Sequence, residues 1–238
     1  MRTYRELFAV REFAVLFVAR AFVMLGVVVG SLALGTIIFQ TTGSALLTGL
    51  ALFGGPLVQL ATSHFLLATA DLIRPRTAMI LVGLTSAVTD LFQLIPGLAW
   101  GWRFALLAVG YLVVSATSGT VMALVSDIVP ADGFVLARST MSVLVGGMQV
   151  IGNGVGGLLL LWFATTHLFV ISAAMTFVAV VITRFGLADH PPRASGKVMG
   201  RTQAVNRLLL GSRVIRPLYF TMWIPNGLIV GCEALFIP

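Results

Sequence analysis

From Ala21 to Ala70 the chain contains no aspartate, glutamate, lysine or arginine. A helix or strand with one face in water carries charge on that face, so a run of this length without any is not built for water. It is also too long for one helix. A membrane-spanning helix takes about 20 mostly apolar residues at a rise of about 1.5 Å each. Gln40-Thr41-Thr42-Gly43-Ser44 supplies an uncharged polar turn part-way along. The stretch therefore reads as two spanning helices in succession. Composition agrees: 58% of the residues are hydrophobic and 10% charged, where a soluble domain carries about 25% charged.

The net charge of +7 would suit nucleic acid if the basic residues shared one face. Instead they sit between apolar runs, the pattern that orients membrane helices, and no nucleic-acid partner is expected. A single cysteine, Cys232, excludes an intrachain disulfide and a cysteine-rich metal site. His64 and His167 each lack a second ligand at helical spacing. There is no G-x-x-x-x-G-K-[ST] phosphate loop, no H-E-x-x-H and no G-x-S-x-G. These absences predict a chain that is not an enzyme and uses no metal or cofactor. The first apolar run is too long for a cleavable signal peptide and is expected to stay as an anchor.

Taken in order, residues 1–12 form a basic lead-in to the first span. Span 1 runs from about Phe13 to Phe39, interrupted by Arg20, and span 2 from Ala45 to Ala70, with Gly54-Gly55-Pro56 near its middle. A charged hinge at 68–80 holds Asp71, Arg74 and Arg76. Span 3 covers about Thr77 to Ile95. Pro96-Gly97 then breaks the helix, and Trp100, Trp102 and Arg103 read as an interfacial belt. Span 4 covers about Phe104 to Val125, span 5 Ser139 to Phe163 and span 6 Leu168 to Arg184. A long polar segment occupies 185–216, and a seventh apolar run fills 217–238.

Alternation of these spans puts Arg2, Arg5, Arg11, Arg74, Arg76, Arg138, Arg184, Arg193, Lys197, Arg201, Arg207, Arg213 and Arg216 on one side, and Arg103 alone on the other. The positive-inside rule makes the first side cytoplasmic. The expectation is a multi-pass protein of the cell (inner) membrane with a cytoplasmic N-terminus, in contact with membrane lipid. The spans group as three plus three, and the only long loop follows the sixth. Many secondary transporters have this layout, each half holding two inverted three-helix repeats.

With that layout in view, the chain resembles the major facilitator superfamily. The likeness covers nearly the whole chain in arrangement and two places in motif. The family's loop between helices 2 and 3 reads roughly G-x-L-a-D-R-x-G-R-R/K; here Ala70, Asp71 and Arg76 match, while Leu67, Leu72 and Arg74 depart. Drug/proton antiporters of the family carry g-x-x-x-G-P-x-x-G-G in helix 5. Gly152, Gly156 and Gly157 match it here, with Asn153 in place of proline and Met148 in place of the first glycine. The arginine those antiporters hold early in helix 4 has no counterpart, since span 4 carries no charge after Arg103. The resemblance implies an all-α membrane fold: a six-helix N-terminal bundle at 13–184, a cytoplasmic linker at 185–216 and an incomplete seventh helix at 217–238. It implies alternating access by rocking of this bundle against a C-terminal half absent from the sequence. The expected cargo is a small uncharged or apolar solute, exported with protons as the coupling ion. The alternative is a truncated or degenerate fragment with no transport of its own.

Several residues have two readings. Asp71, Arg74 and Arg76 are either a gating latch, formed when the cytoplasmic side closes, or an orientation signal on a solvated loop. Arg20 either faces a cavity or partner, or snorkels to the headgroups near Glu12. Asp90 is a proton or cation site in the central cavity, or part of a polar rim at the outer mouth. Glu233, deep in the seventh run, is a candidate proton carrier or a paired carboxylate. Gly26, Gly30, Gly152 and Gly156 form small-residue stripes that permit close helix crossing, or a seam on which the repeats slide.

Overall fold

The computed structural model describes residues 3–66, 73–117 and 119–192, together with Gly211, Ser212, Pro217 and Thr221. Asp71, Glu233, most of the 185–216 linker and nearly all of the seventh apolar run lie outside the described residues. The chain divides into two units, Met1–Ala194 and Ser195–Pro238. In the second, the Thr221 hydroxyl donates to the Pro217 carbonyl at 2.6 Å. All the helices named below belong to the first.

The described structure is all-helical: α1 (Tyr4–Ala9), α2 (Arg11–Thr42), α3 (Ala45–Leu66), α4 (Pro75–Phe92), α5 (Trp100–Thr117), α6 (Thr120–Ile128), α7 (Phe134–Trp162) and α8 (Thr165–Gly186). Four stretches are long and apolar enough to cross a membrane: Arg11–Thr42, Trp100–Ile128, Phe134–Trp162 and Thr165–Gly186. Helices suit that role because each satisfies its own backbone polar groups without water. Hydroxyls follow the same rule. Those of Thr36, Thr42, Thr140, Thr176 and Thr183 donate to the carbonyl four residues back, at 2.7 to 3.0 Å.

Local chemistry sets the breaks. The amide nitrogen of Glu6 bonds Thr3 Oγ1 at 3.4 Å, which caps α1. Gly43, at φ 64°, ends α2 in the left-handed region and donates its N–H to the Phe39 carbonyl at 2.8 Å. Few residues other than glycine adopt that conformation, so the uncharged turn forms where the sequence placed it. Pro75 occupies the first turn of α4, where its missing N–H costs nothing. The fourth span, expected from about Phe104 to Val125, falls within the single apolar stretch Trp100–Ile128, whose described parts are α5 and α6, with Ser118 between them outside the described residues.

Buried side chains gather at the two ends of the unit. One cluster joins Leu7 of α1, Phe13 and Leu16 of α2, Leu124 and Val125 of α6, Ala137 and Met141 of α7, and Leu187 after α8, with Met79 of α4 packed against it. The other joins Ala33 and Ile38 of α2, Ala51 of α3, and Leu168 and Phe169 of α8, with Leu94, Phe104 and Leu160 against it. The starts of α2, α4 and α7 thus share one end with the finishes of α6 and α8. That end carries Arg5, Arg11, Arg74, Arg76, Arg138 and Arg184, while Arg103 lies at the other. The outward surface is apolar: Leu161 is 75% exposed and Trp162 83%, a surface that suits lipid and not water.

Among the main packings, α2 lies against α3, α7 and α8; α4 lies against α5 and α8; and α3 lies against α5. Gly26, Gly30, Gly152 and Gly156, the stripe glycines, sit at these contacts. A Cβ on Gly26 would lie 2.8 Å from Thr176 Cγ2 and 3.0 Å from the Ser172 carbonyl oxygen; one on Gly30 would lie 2.8 Å from Ser172 Oγ. At Gly152 and Gly156 it would meet Val28 Cγ1 at 2.9 Å and Leu32 Cδ1 at 2.6 Å. Gly157 is different: the space around it is open to 4 Å, because it lies on the outward side of α7. Gly26→Leu is therefore expected to destabilise the unit by roughly 1–3 kcal/mol, the usual cost of overpacking. Gly157→Leu is expected to change it little. Thermal unfolding of the two variants in detergent micelles checks the contrast.

Candidate functional site

Two polar places lie within the apolar bundle. The first is a cavity of about 90 Å³ lined by Arg20 and Val23 of α2, Gln59 of α3, Ala78, Met79 and Val82 of α4, Val114 and Thr117 of α5, and Thr120 and Val121 of α6. Five helices converge on it. Its polar wall is partly committed. The Thr117 hydroxyl donates back to the carbonyls of Val113 and Val114, at 2.8 and 3.3 Å. Beside it, the hydroxyls of Thr62 and Ser115 lie 2.7 Å apart, and Ser115 Oγ is 3.2 Å from the Gln59 carbonyl oxygen. That clamp holds α3 to α5 and fixes the backbone from which the Gln59 side chain projects. Arg20 supplies the cavity's one formal charge. Among the described residues, no carboxylate lies within ion-pair distance of it.

The second place is the junction of α2, α4 and α8. Ser172 Oγ of α8 lies 2.5 Å from Asp90 Oδ2 of α4 and 2.7 Å from the Gly26 carbonyl oxygen of α2. The Cβ position of Gly30 is 2.8 Å from Ser172 Oγ and 3.2 Å from Asp90 Oδ1, so the missing side chain makes room for this pair. Tyr111 of α5 faces Ser31 of α2 and lies within electrostatic reach of Asp90. Its ring fills the space over Gly55, where a Cβ would sit 2.0 Å from Tyr111 Cζ. Asp90 is therefore held between helices and not set on an open rim. Along α2, Val23 of the cavity and Gly26 of the junction are three residues apart, a rise of about 4.5 Å, so the two places are adjacent and stacked along the helix.

At the basic end, the gating-loop arginines turn towards the finish of α8. Arg74 pairs with Asp189, and Arg76 donates to the Arg184 carbonyl oxygen. The second bond satisfies one of the carbonyls left free at a helix C-terminus, where positive charge is favoured. Side-chain exposures of 57% and 42% for Arg74 and Asp189 put their pair in the class worth about 0–1 kcal/mol. Glu12 at the start of α2 grips the same segment: its carboxylate oxygens lie 3.3 Å from the Ala188 amide nitrogen and 3.0 Å from His190 Nε2. Asp71, the acid of the latch, is outside the described residues, as is Glu233.

Arg103 departs from its reading as part of an interfacial belt. It is 5% exposed. Its guanidinium bonds the Gln93 carbonyl at 2.9 Å, Gln93 Oε1 at 3.1 Å and the Leu98 carbonyl at 3.2 Å, while Gln93 Nε2 donates to the Arg103 carbonyl at 3.2 Å. The pair ties the loop from α4 to α5 shut. Trp100 and Trp102 do remain on the surface.

No protein-family model, no characterised protein and no solved structure matches the chain.

The geometry brings Arg20 into the cavity and Asp90 into a three-helix junction, and it keeps the two apart. It also supplies partners that single residues did not announce: Ser172, Tyr111, Gln59 and Gln93. The one sequence signal for Ser172 was indirect. Gly26 and Gly30 on one stripe mark a close approach, and a hydroxyl is what meets them. A double-mutant cycle on Asp90→Asn and Ser172→Ala is expected to show a coupling of roughly 0.5–3 kcal/mol, the range for side chains in direct contact. The measurement is unfolding of the four proteins in detergent; additive effects would mean that the two groups do not interact.

Proposed function

We propose that the chain forms the N-terminal six-helix bundle of a secondary transporter of the major facilitator type, which moves a small solute by alternating access with protons as the coupling ion. The symmetry of the packing carries this reading. Take α2, α3 and α4 as one group, and α5–α6, α7 and α8 as the other. Exchanging first with first, second with second and third with third turns the α2–α7 contact into α5–α3. It turns α2–α8 into α5–α4 and leaves α4–α8 as it is. All of these packings are present. The two groups also run in opposite senses, since α2 starts at the basic end and α5 at the other. Inverted repeats packed about a shared axis are the usual frame of such transporters, with the solute site between them.

The cavity suits the role, for it draws α2, α3 and α4 from one group and α5 and α6 from the other. A rocking motion of the bundle would change its access. The Arg74–Asp189 and Arg76–Arg184 contacts bridge the start of α4 and the end of α8. They are weak and exposed, which fits contacts made in one state and broken in another. Asp90 is the candidate proton site: an ionisable group inside a spanning helix is kept for a purpose more often than by accident. In this reading the basic end is cytoplasmic, the direction is export, and a second six-helix bundle opposes this one.

The test is solute-driven proton movement. The chain is reconstituted together with the opposing six-helix bundle into vesicles that enclose a pH-sensitive dye, and gradients of uncharged, cationic and anionic solutes are imposed in turn. At least one solute is expected to move protons faster than in empty vesicles, and Asp90→Asn is expected to slow that movement about tenfold or more. A correctly inserted chain that moves protons with none of them would overturn the reading.

A further inference from the structure

We infer that the cavity around Arg20 is a binding site for an anionic group of the carboxylate or phosphate class. This deepens the transport reading, on which it rests only for treating the ligand as cargo. The argument begins with what Arg20 lacks. A charged residue in a spanning helix costs about 2.5–3.5 kcal/mol on insertion scales and is normally offset by a partner, by backbone carbonyls or by snorkelling. Arg20 has the first of these from no described carboxylate. Among the described residues it bonds no carbonyl as Arg103 does, and, half-buried, it lines a partly open cavity between the helices. Its neighbours Ala19 and Val23 on that helix are buried.

The rest of the wall fits an anion. Gln59 contributes a primary amide, whose N–H groups donate. Val23, Ala78, Met79, Val82, Val114 and Val121 are apolar and lower the local polarity, which strengthens a charge-assisted bond. The guanidinium offers a planar fork that matches two oxygens of a carboxylate or phosphate. A volume of about 90 Å³ is several times the roughly 10–15 Å³ that one water needs, enough for one such group with the remainder of a solute extending along the bundle. A cation would be repelled, and an uncharged solute would leave the guanidinium unsatisfied. The cargo class therefore differs from the uncharged solute that the composition of spans 1 and 4 suggested.

Thiol protection tests this without requiring transport. Val121→Cys is placed on the cavity wall, with Cys232→Ser to remove the native thiol, and the chain is held in nanodiscs of phosphatidylcholine. The readout is the rate of maleimide labelling. Benzoate or inorganic phosphate is expected to slow labelling about fivefold or more, and tetraethylammonium is expected to leave it unchanged. Arg20→Gln should label at the unprotected rate with either anion present. Arg20→Lys, which keeps the charge but loses the fork, should retain partial protection and guards against a Gln variant that fails to fold. Nanodiscs containing phosphatidylglycerol distinguish the sources: slow labelling there without added anion assigns the site to a lipid phosphate. Protection that survives Arg20→Gln, or no protection by any anion or anionic lipid, overturns the inference. If protection holds but no solute moves protons in vesicles, the site stands and the transport reading fails.

Discussion

The contact between α2 and α8 sets the terms for the rest of the bundle. Water does not drive helices together inside a bilayer, so association there depends on close packing and on hydrogen bonds between helices. Gly26 and Gly30 provide the first by removing side chains where α8 approaches, and Ser172 provides the second by bonding the Gly26 carbonyl at 2.7 Å. The same hydroxyl lies 2.5 Å from Asp90. One serine thus holds two helices together and positions the Asp90 carboxyl of a third, α4. A larger residue at either glycine would move α8 outward and separate Asp90 from its partner. Packing and site chemistry are here one arrangement.

The remaining close approaches repeat this pattern. Gly152 and Gly156 bring α7 against Val28 and Leu32 of α2; Gly55 brings α3 against Tyr111 of α5; Gly83 brings α4 within 2.5 Å, at its Cβ position, of Val180 Cγ2 on α8. Each of these contacts joins the first three-helix group to the second. The first two are related by the exchange of groups: in each, the second helix of one group presents glycine to the first helix of the other. At each of these seams a side chain of one group occupies the space that a Cβ would take on the other.

Much of this was legible in the residues. The charge-free run, the Gly43 turn and the segregation of arginines followed from rules that act locally or by counting, and the helix order and basic end agree with them. What was hidden lies between elements distant in sequence. Arg103 looked like an interfacial anchor because Trp100 and Trp102 flank it; its true partner is Gln93, brought close by the fold of the loop. Gly157 shares a motif with Gly152 and Gly156, yet one further residue along a helix turns it about 100° away from the contact. Sequence fixes which faces are apolar; it does not say which polar group on another helix will meet them.

Arg20 and Arg103 show how the same side chain serves two ends. Both lie within apolar stretches, and both face the cost of leaving water. Arg103 is satisfied by the carbonyls of Gln93 and Leu98 and by the Gln93 side chain, all within eleven residues of it in sequence. Those bonds engage Nε and Nη1, and their work is to close a loop. Arg20 is placed where no such set exists among the described residues, beside a cavity with a free amide and apolar walls. A structural arginine would be expected to gather local carbonyls, as Arg103 does. One held in a cavity without them keeps its donors for something that arrives from outside, and the two oxygens of a carboxylate or phosphate match its planar fork most strongly.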